Sequence, residues 1–281
     1  MKVAWVTDST AFVGDGIEDF HVVPMHISFG DREYLDGVDL TLEGLYEKLE
    51  EERVAGKTSQ PSIGTFASLY EELAKDHDAI FSVHVSSHFS GTYASAVQAA
   101  DLMKDDFPSI YCVDSKILSY PLTDLIRYGQ DLDREGVSHE EIKTRLEERA
   151  AQSRTFVMVG SLEQLHRSGR MSGLSFFLGS MLHIKPLLTI RDGKLSVDQR
   201  VRNHRKGLAL MKERLSASNV REAFILYGLN REEANKWMEE LKGEFPKIHF
   251  SPYPLAAVIG IHAGSDTLGI SWYEENGSGK A

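Results

Sequence analysis

The chain has 281 residues, 42% of them hydrophobic, which is enough for the cores of two domains. Its formal net charge of −11 disfavours nucleic acid as a partner, because such a chain repels phosphates unless a local basic patch prevails. A single cysteine excludes an internal disulfide, and no apolar run approaches the roughly 20 residues of a membrane span, so we expect a cytoplasmic protein without membrane insertion.

Strands and helices alternate along the first half of the sequence. Apolar, β-branched runs predict strands, and apolar residues at helical spacing predict helices. The predicted strands are 2–7, 22–26, 79–85 and 109–113. The predicted helices are 41–54, 62–75, 92–103, 120–135 and one that starts at Ser138. Such alternation is typical of a mostly parallel sheet that helices cover on both faces.

The second half predicts a mixed sheet. Asp192-Gly193 separates the apolar runs 184–190 and 194–201, and Asp-Gly between such runs is the strongest local signal for a β-hairpin. The other predicted strands are 155–159, 223–227, 248–251, 257–261 and 268–272. The helices between them are those capped by Ser161 and Asn230 and one at 204–215. We therefore expect two α/β domains, at 1–157 and 158–281.

A polar turn follows the first predicted strand, at the edge where parallel sheets bind ligands. Asp8 in this turn could serve as a phosphatase-type nucleophile. Such sites usually carry a second carboxylate two residues further on, where this chain has Thr10. The alternative, which we favour, is that Asp8 stabilises the turn through hydrogen bonds to the backbone.

A second polar turn, Ser90-Gly91-Thr92, lies between an apolar strand and an Ala-rich helix. Free N–H groups at the start of a helix attract anions, and hydroxyl groups add further donors. Binding of a carboxylate or another anion, simple helix capping and a hydrolase nucleophile at Ser90 all stay open. Thr58 and Ser59, just before another helix, are further hydroxyl candidates for a ligand.

Cations and a histidine of the second half are weaker candidates. Arg170 and Arg202 carry guanidinium groups, which suit carboxylate or phosphate, and Arg202 lies in the densest basic stretch. His262 ends an apolar run, a position more typical of a packed residue than of a catalyst. The sequence contains no zinc-ligand spacing, P-loop or Gly-x-Gly-x-x-Gly motif, so we expect neither a metal nor a cofactor.

Nine motifs, spread in order over essentially the whole chain, resemble those of the DegV family. They are Val6-Thr7-Asp8-Ser9-Thr10, Val23-Pro24-Met25, Tyr34-Leu35-Asp36-Gly37, Lys57-Thr58-Ser59-Gln60-Pro61-Ser62, Ser90-Gly91-Thr92-Tyr93, Val113-Asp114-Ser115, Ser168-Gly169-Arg170, Ile184-Lys185-Pro186 and Gly260-Ile261-His262. Each motif alone carries modest weight, and the ordered set of nine is specific.

The resemblance implies a three-layer α/β/α N-terminal domain with a parallel sheet and a two-layer C-terminal domain with a mixed sheet. It also implies a long-chain fatty acid buried in an apolar pocket between the domains. By position, the groups that bind its carboxylate would be Thr58, Ser59, Ser90, Gly91, Thr92 and His262. Those that contact a phosphoryl group or a partner would be Arg170 and Arg202.

Well-understood carriers of this family present the fatty acid to an ATP-binding kinase, which makes acyl-phosphate. The resemblance therefore implies a lipid carrier without an activity of its own. One motif departs from the family pattern, in which the histidine is commonly followed by Gly-Pro-Gly. Here His262 is followed by Ala263-Gly264-Ser265-Asp266, which adds a negative charge near the expected carboxylate. The alternative function is a stand-alone hydrolase or phosphatase that uses Asp8 or Ser90.

Overall fold

The computed structural model describes residues 2–14, 20–52, 56–107, 109–170 and 185–275. Ile184, which begins one predicted strand, lies outside these ranges. The strands are β1 (Val3–Asp8), β2 (His21–Val23), β3 (His26–Phe29), β4 (Arg32–Leu35), β5 (Lys57–Ser59), β6 (Ala79–His84), β7 (Ile110–Asp114), β8 (Ser153–Met158), β9 (Lys185–Arg191), β10 (Lys194–Val201), β11 (Glu222–Tyr227), β12 (His249–Pro254) and β13 (Leu268–Tyr273). The helices are α1 (Leu42–Glu52), α2 (Ile63–Leu73), α3 (Thr92–Met103), α4 (Tyr120–Arg134), α5 (His139–Ala151), α6 (Leu162–Arg167), α7 (His204–Ser216), α8 (Arg231–Glu244) and α9 (Ala257–Ala263).

The first sheet has the strand order β2-β1-β6-β7, and all of its neighbouring strands run parallel. The central strand β6 is buried along its whole length because both faces of the sheet are covered. Phe66 of α2 and Ala96 of α3 pack on one face, and Leu125 of α4 and Leu146 of α5 pack on the other. The predicted three-layer arrangement with a parallel sheet is confirmed.

The second sheet has the order β10-β9-β8-β13-β11-β12, in which only β11 and β12 run parallel. Helices α7 and α8 cover one face, where Met211 and Trp237 join a core with Ile225. On the other face, Phe224 packs with Tyr120 at the start of α4, so this face is turned toward the first sheet. The predicted mixed sheet is confirmed.

The predicted boundary between residues 157 and 158 falls inside β8. This strand pairs with β13 from Ser153 onward, so its first residues already belong to the mixed sheet. We propose that the second unit begins at Ser153, because a strand contributes its pairing and its side chains to one sheet as a whole.

The predicted strand 257–261 is wrong, since these residues lie in helix α9. Short apolar runs predict buried strands and buried helices equally well, so tertiary contacts decide. The carboxylate of Asp36 accepts a hydrogen bond from the Val258 N–H (3.2 Å) at the start of the helix. Gly260 then lets α9 lie against α1, since a Cβ there would lie 2.7 Å from Leu42 Cδ1. Tyr46 of α1 donates to the Gly260 carbonyl (3.0 Å).

A small antiparallel sheet, in the order β4-β3-β5, was not predicted. Its strand β5 contains Thr58, which pairs with Ile27 of β3, although no strand was predicted at these residues. This pairing fixes the direction of the Thr58 side chain. No helix in the part of the chain that the structure describes is long and apolar enough to cross a bilayer.

Candidate functional site

An apolar cavity lies between the carboxyl ends of the parallel strands and the inner face of the mixed sheet. It encloses about 870 Å³ of space free of protein atoms, its opening to solvent included. The apolar lining comes from the mixed sheet, from the segments that follow the parallel strands and from α9, and includes Met25, Val85, Phe89, Leu118, Val157, Ile190, Leu195, Leu226, Val258 and Ile259.

Four threonines line the cavity, and three of them have hydroxyl groups that are engaged with the protein. Thr10 donates to Asp8 Oδ1 (2.6 Å). Thr155 Oγ1 lies 2.8 Å from Ser271 Oγ, which itself donates to a backbone carbonyl. Thr267 donates to the Gly264 carbonyl (2.8 Å). The wall formed by these residues therefore offers a ligand no free hydroxyl donor.

The cavity ends at a polar mouth formed by Thr58, Arg170 and His262. These residues line both the cavity and an adjoining vestibule that opens to the surface. The vestibule adds polar side chains, namely Lys57, Gln164, Arg167 and Ser168. None of the described residues that line the cavity or the vestibule is acidic, although the chain as a whole is strongly acidic. The lining of the mouth is therefore locally basic.

His262 lies in the last turn of α9, and its Nε2 is 2.8 Å from Thr58 Oγ1. Burial, with a smaller effect from the charge of Arg170, lowers the pKa of His262 from 6.5 to about 4, so the ring is neutral at pH 7. Its Nδ1 is buried without a hydrogen-bond partner. If Nε2 carries the proton, it donates to Thr58, and the Thr58 hydroxyl is then free to donate to a ligand.

Arg170 supplies the positive charge of the mouth. Its Nε donates to the Phe89 carbonyl (3.4 Å) and its Nη1 to the Ser168 carbonyl (2.5 Å). The side chain is half-buried, and burial lowers the pKa of Arg170. No acidic side chain of the described residues forms an ion pair with it. A guanidinium without an ion-pair partner is suited to a carboxylate.

Ser90 lines the cavity near this mouth. Its Oγ accepts a hydrogen bond from the Thr92 N–H (3.3 Å) and lies 2.8 Å from Thr92 Oγ1. When Thr92 donates, the Ser90 hydroxyl keeps its own proton for a ligand. Gly91 permits close packing of the neighbouring loop, since a Cβ there would lie 2.7 Å from Gln60 Nε2. Thr92 thus holds the Ser90 side chain by hydrogen bonds, and Gly91 leaves room for the loop that contains Gln60.

The structure brings together four of the residues that the sequence singled out, and separates others from them. Thr58, Ser90, Arg170 and His262 line one cavity. Arg202 is exposed and lines neither the cavity nor the vestibule.

Ser59 is exposed on β5, because successive side chains of a strand point to opposite faces. The sequence reasoning missed Lys57 and Arg167, both in the vestibule. Their closeness in the chain to Thr58 and Arg170 was the available signal.

Asp8 lies outside the cavity lining, fully buried below the ends of β1 and β6. Its Oδ1 accepts from the N–H and the hydroxyl of Thr10, and its Oδ2 from the Val85 N–H (2.8 Å) and His84 Nδ1 (3.1 Å). Burial raises the pKa of Asp8, but the hydrogen bonds and the His84 interaction outweigh burial and hold this pKa below its ordinary value. The geometry supports the turn-stabilising interpretation.

The hydrogen-bond chain of Asp8 continues away from the cavity. His84 Nε2 lies 2.6 Å from Ser82 Oγ, and this oxygen lies 2.6 Å from the hydroxyl of Tyr70. All four side chains are buried. Across the described ranges, no cluster of three or more histidine, cysteine or acidic side chains is arranged to hold a metal ion.

These features define a class of α/β protein in which a parallel and a mixed sheet enclose an apolar cavity with a cationic mouth. The family model described as "Uncharacterised protein, DegV family" matches residues 2–275. The chain belongs to the DegV family.

Relatives of known structure share this fold over nearly the whole chain. Protein DegV of Bacillus subtilis is 34% identical over 280 residues, which cover 97% of this chain and 99% of the relative. The crystal structure of that fatty acid binding protein superposes with a TM-score of 0.89 at 33% identity, covering 98% and 100% of the two chains.

Two further structures extend the comparison. A DegV family protein from Thermus thermophilus, described for its fatty acid binding, has a TM-score of 0.88 at 29% identity, covering 98% and 100%. The Streptococcus pneumoniae Fatty Acid Kinase (Fak) B3 protein, loaded with linoleic acid, has a TM-score of 0.84 at 20% identity, with 98% and 100% coverage. At this identity the last comparison shows a common fold.

Proposed function

We propose that this protein binds a long-chain fatty acid, with the tail in the apolar cavity and the carboxylate at the mouth. The observation that carries the proposal is the mouth itself: Thr58, Arg170 and His262 stand where an apolar cavity meets a vestibule whose described lining residues include basic but no acidic side chains. Ser90 adds a fourth polar contact. The Bacillus subtilis and Thermus thermophilus relatives, both described as fatty acid binding, support the same ligand.

The proposed ligand fits the physical character of the two regions. Burial of an acyl chain contributes about 0.8 kcal/mol per methylene, so the cavity supplies the affinity. A buried carboxylate requires hydrogen bonds to offset its lost hydration, and the mouth supplies them. Hydroxyl groups and one guanidinium achieve this while an oxygen atom stays directed toward the vestibule.

We infer that the protein is a carrier that presents this carboxylate to an ATP-binding kinase, which converts it to acyl-phosphate. The family resemblance supports this role. The vestibule supports it too, because Lys57 and Arg167 bring positive charge to the outer side of the mouth. Arg167 pairs with the exposed Glu163 (3.0 Å), a contact that a phosphate group or a partner protein can replace.

The alternative of a stand-alone hydrolase finds less support. Asp8 is sealed, and all four of its hydrogen bonds come from the protein. Ser90 bonds to Thr92, and no histidine is hydrogen-bonded to its Oγ among the described residues. A serine nucleophile needs such a base to remove its proton.

Mass spectrometry of the purified protein under native conditions tests the ligand directly. We expect a co-purified long-chain fatty acid, which organic extraction removes. The delipidated protein should then bind oleate, and Ser90→Ala should weaken binding by roughly tenfold through the loss of one hydrogen bond to a charged group.

Ser87→Ala is the matched control for that experiment. Ser87 lies in the same turn but is exposed and bonds to Asp114, so this variant should bind oleate as the wild type does. Empty protein that cleaves simple esters would support the hydrolase instead. Oleate affinity unchanged by Ser90→Ala would refute the role of Ser90.

The carrier role has its own test. Incubating oleate-loaded protein with ATP and the fatty acid kinase of the same organism should form oleoyl-phosphate, which hydroxylamine traps as a hydroxamate. If that kinase acts with another carrier but not with this protein, the carrier role is wrong, although oleate binding can still be correct.

A further inference from the structure

The tip of the β9–β10 hairpin has a tightly defined shape. Arg191 pairs with Lys194, so Asp192 and Gly193 alone form the turn, with φ angles of +50° and +78°. Positive φ at both positions is the conformation that matches the twist of a two-residue hairpin. The strands of this hairpin form part of the cavity wall.

This tip contacts the first half of the chain at one fully buried side chain, Ser86. The Ser86 hydroxyl donates to the Gly193 carbonyl (2.8 Å). A Cβ at Gly193 would lie 2.6 Å from Ser86 Oγ and 3.2 Å from His88 Cδ2, so only glycine permits this approach. The contact therefore joins two chain segments that lie 107 residues apart.

Ser86 begins the turn that carries Ser90. The Ser86 carbonyl accepts hydrogen bonds from the Phe89 N–H (2.9 Å) and the Ser90 N–H (3.2 Å). The Phe89 carbonyl in turn accepts from Arg170 Nε (3.4 Å). Hydrogen bonds thus connect Gly193 through Ser86 to Ser90 and, through Phe89, to Arg170. Ser90 and Arg170 both line the cavity.

We propose that the contact between Gly193 and Ser86 positions the Ser90 hydroxyl for the ligand carboxylate, which makes both of them positioning residues. The inference rests on the proposed function, since it requires a carboxylate at the mouth. Neither residue lines the cavity. Their effect passes through the 86–90 turn, whose backbone hydrogen bonds they hold in place.

Comparison of two glycines separates this role from simple strain. Gly193 and Gly136 both have φ of +78°, but nothing lies within 4 Å of a Cβ at Gly136, which connects α4 and α5. Gly193→Ala and Gly136→Ala both introduce the same backbone strain. Only Gly193→Ala places a methyl group too close to Ser86 Oγ. We expect Gly193→Ala to release oleate about tenfold faster than the wild type, and Gly136→Ala to stay within about twofold.

The carboxyl ¹³C chemical shift of [1-¹³C]oleate gives a readout that a merely structural role would not move. We expect this shift to change in Gly193→Ala and, by a smaller amount, in Ser86→Ala, which removes the hydrogen bond without a clash. In the Ser90→Ala background, Gly193→Ala should have little further effect, because the group that it positions is absent.

Failure of the positioning role can be distinguished from failure of the proposed function. If the wild type does not bind oleate, the proposed function fails. If the wild type binds oleate and folded Gly193→Ala and Ser86→Ala keep its carboxyl shift and release rate, only the positioning role is overturned. Should Gly193→Ala not fold, Ser86→Ala decides alone, and an unchanged shift overturns the proposal.

Discussion

Two polar clusters of this protein are built from similar side chains but differ in what they leave unsatisfied. In the cluster of Asp8, His84, Ser82 and Tyr70, every side chain is buried and has hydrogen-bond partners. At the mouth, His262 has a buried nitrogen without a partner, and Arg170 has no ion-pair partner among the described residues. Unused hydrogen-bonding capacity, more than residue type, therefore distinguishes the mouth from the buried cluster.

The sealed cluster has the order of a catalytic triad. Ser82 Oγ lies 2.6 Å from His84 Nε2, and His84 Nδ1 lies 3.1 Å from Asp8 Oδ2. Ser82 is fully buried and shares its hydroxyl with Tyr70, so no substrate reaches it. The hydrogen bonds of this cluster connect β1, β6 and α2.

The largest expected difference between the clusters is in stability. Asp8→Ala should lower the free energy of unfolding by about 3–5 kcal/mol, because it leaves buried donors without an acceptor. His262→Gln at the mouth should cost less than about 1 kcal/mol, since the histidine makes one side-chain hydrogen bond. Urea unfolding of delipidated protein measures both, and equal losses would contradict the distinction.

The clusters should also respond to acid in different ranges. The pKa of His262 is about 4 in the folded protein and 6.5 in the unfolded chain. Between these pH values the unfolded chain binds more protons, so stability falls as the pH is lowered from 6.5 to 4. This loss should be on the order of 2–3 kcal/mol and absent in His262→Gln. The contribution of Asp8, whose pKa is lowered from 3.8, should be lost only at still lower pH.

The difference between the wild type and His262→Gln isolates this effect from other groups. Burial raises the pKa of Asp36 to about 7, and this residue contributes the opposite slope in both proteins. Bound oleate should raise the pKa of His262 by placing a negative charge nearby, so the acid loss should shrink in the loaded protein. An identical pH profile for the variant would show that His262 titrates normally.

The next largest effect should be on the affinity of the mouth for oleate. Arg170→Met should weaken oleate binding by about 1.5–3 kcal/mol, because a buried carboxylate loses a charged donor. Arg202→Met, which changes an exposed side chain outside the cavity, should bind oleate normally. Titration calorimetry on delipidated proteins compares them. Equal affinity of both variants would place the carboxylate elsewhere.

The smallest effect concerns two adjacent hydroxyl groups. Thr58→Val should weaken oleate binding by about 1 kcal/mol, as it removes a hydroxyl from the mouth without changing the shape of the side chain. Ser59→Ala should have no measurable effect, because Ser59 is exposed on the opposite side of β5. A loss of affinity in Ser59→Ala instead would support the carboxylate contact that the family resemblance implies for that residue.

Local features of the fold were predictable from the sequence alone. The Asp192-Gly193 turn adopts the two positive φ angles that its composition favours. Ser138, Ser161 and Asn230 cap their helices as predicted, each by accepting a hydrogen bond from a backbone N–H three residues later. These features depend on neighbours in the chain, which the sequence displays directly.

The sequence by itself determined the alternation of elements, the hairpin, the helix caps and the family, and it named four residues that share the cavity. Only the tertiary structure decided that 257–261 is a helix and that Thr58, rather than Ser59, faces the cavity. The decisive contacts join Asp36 to Val258 across 222 residues and Thr58 to His262 across 204. Which polar atoms have a hydrogen-bond partner depends on contacts between distant segments. The mouth could therefore not be recognised from the sequence alone.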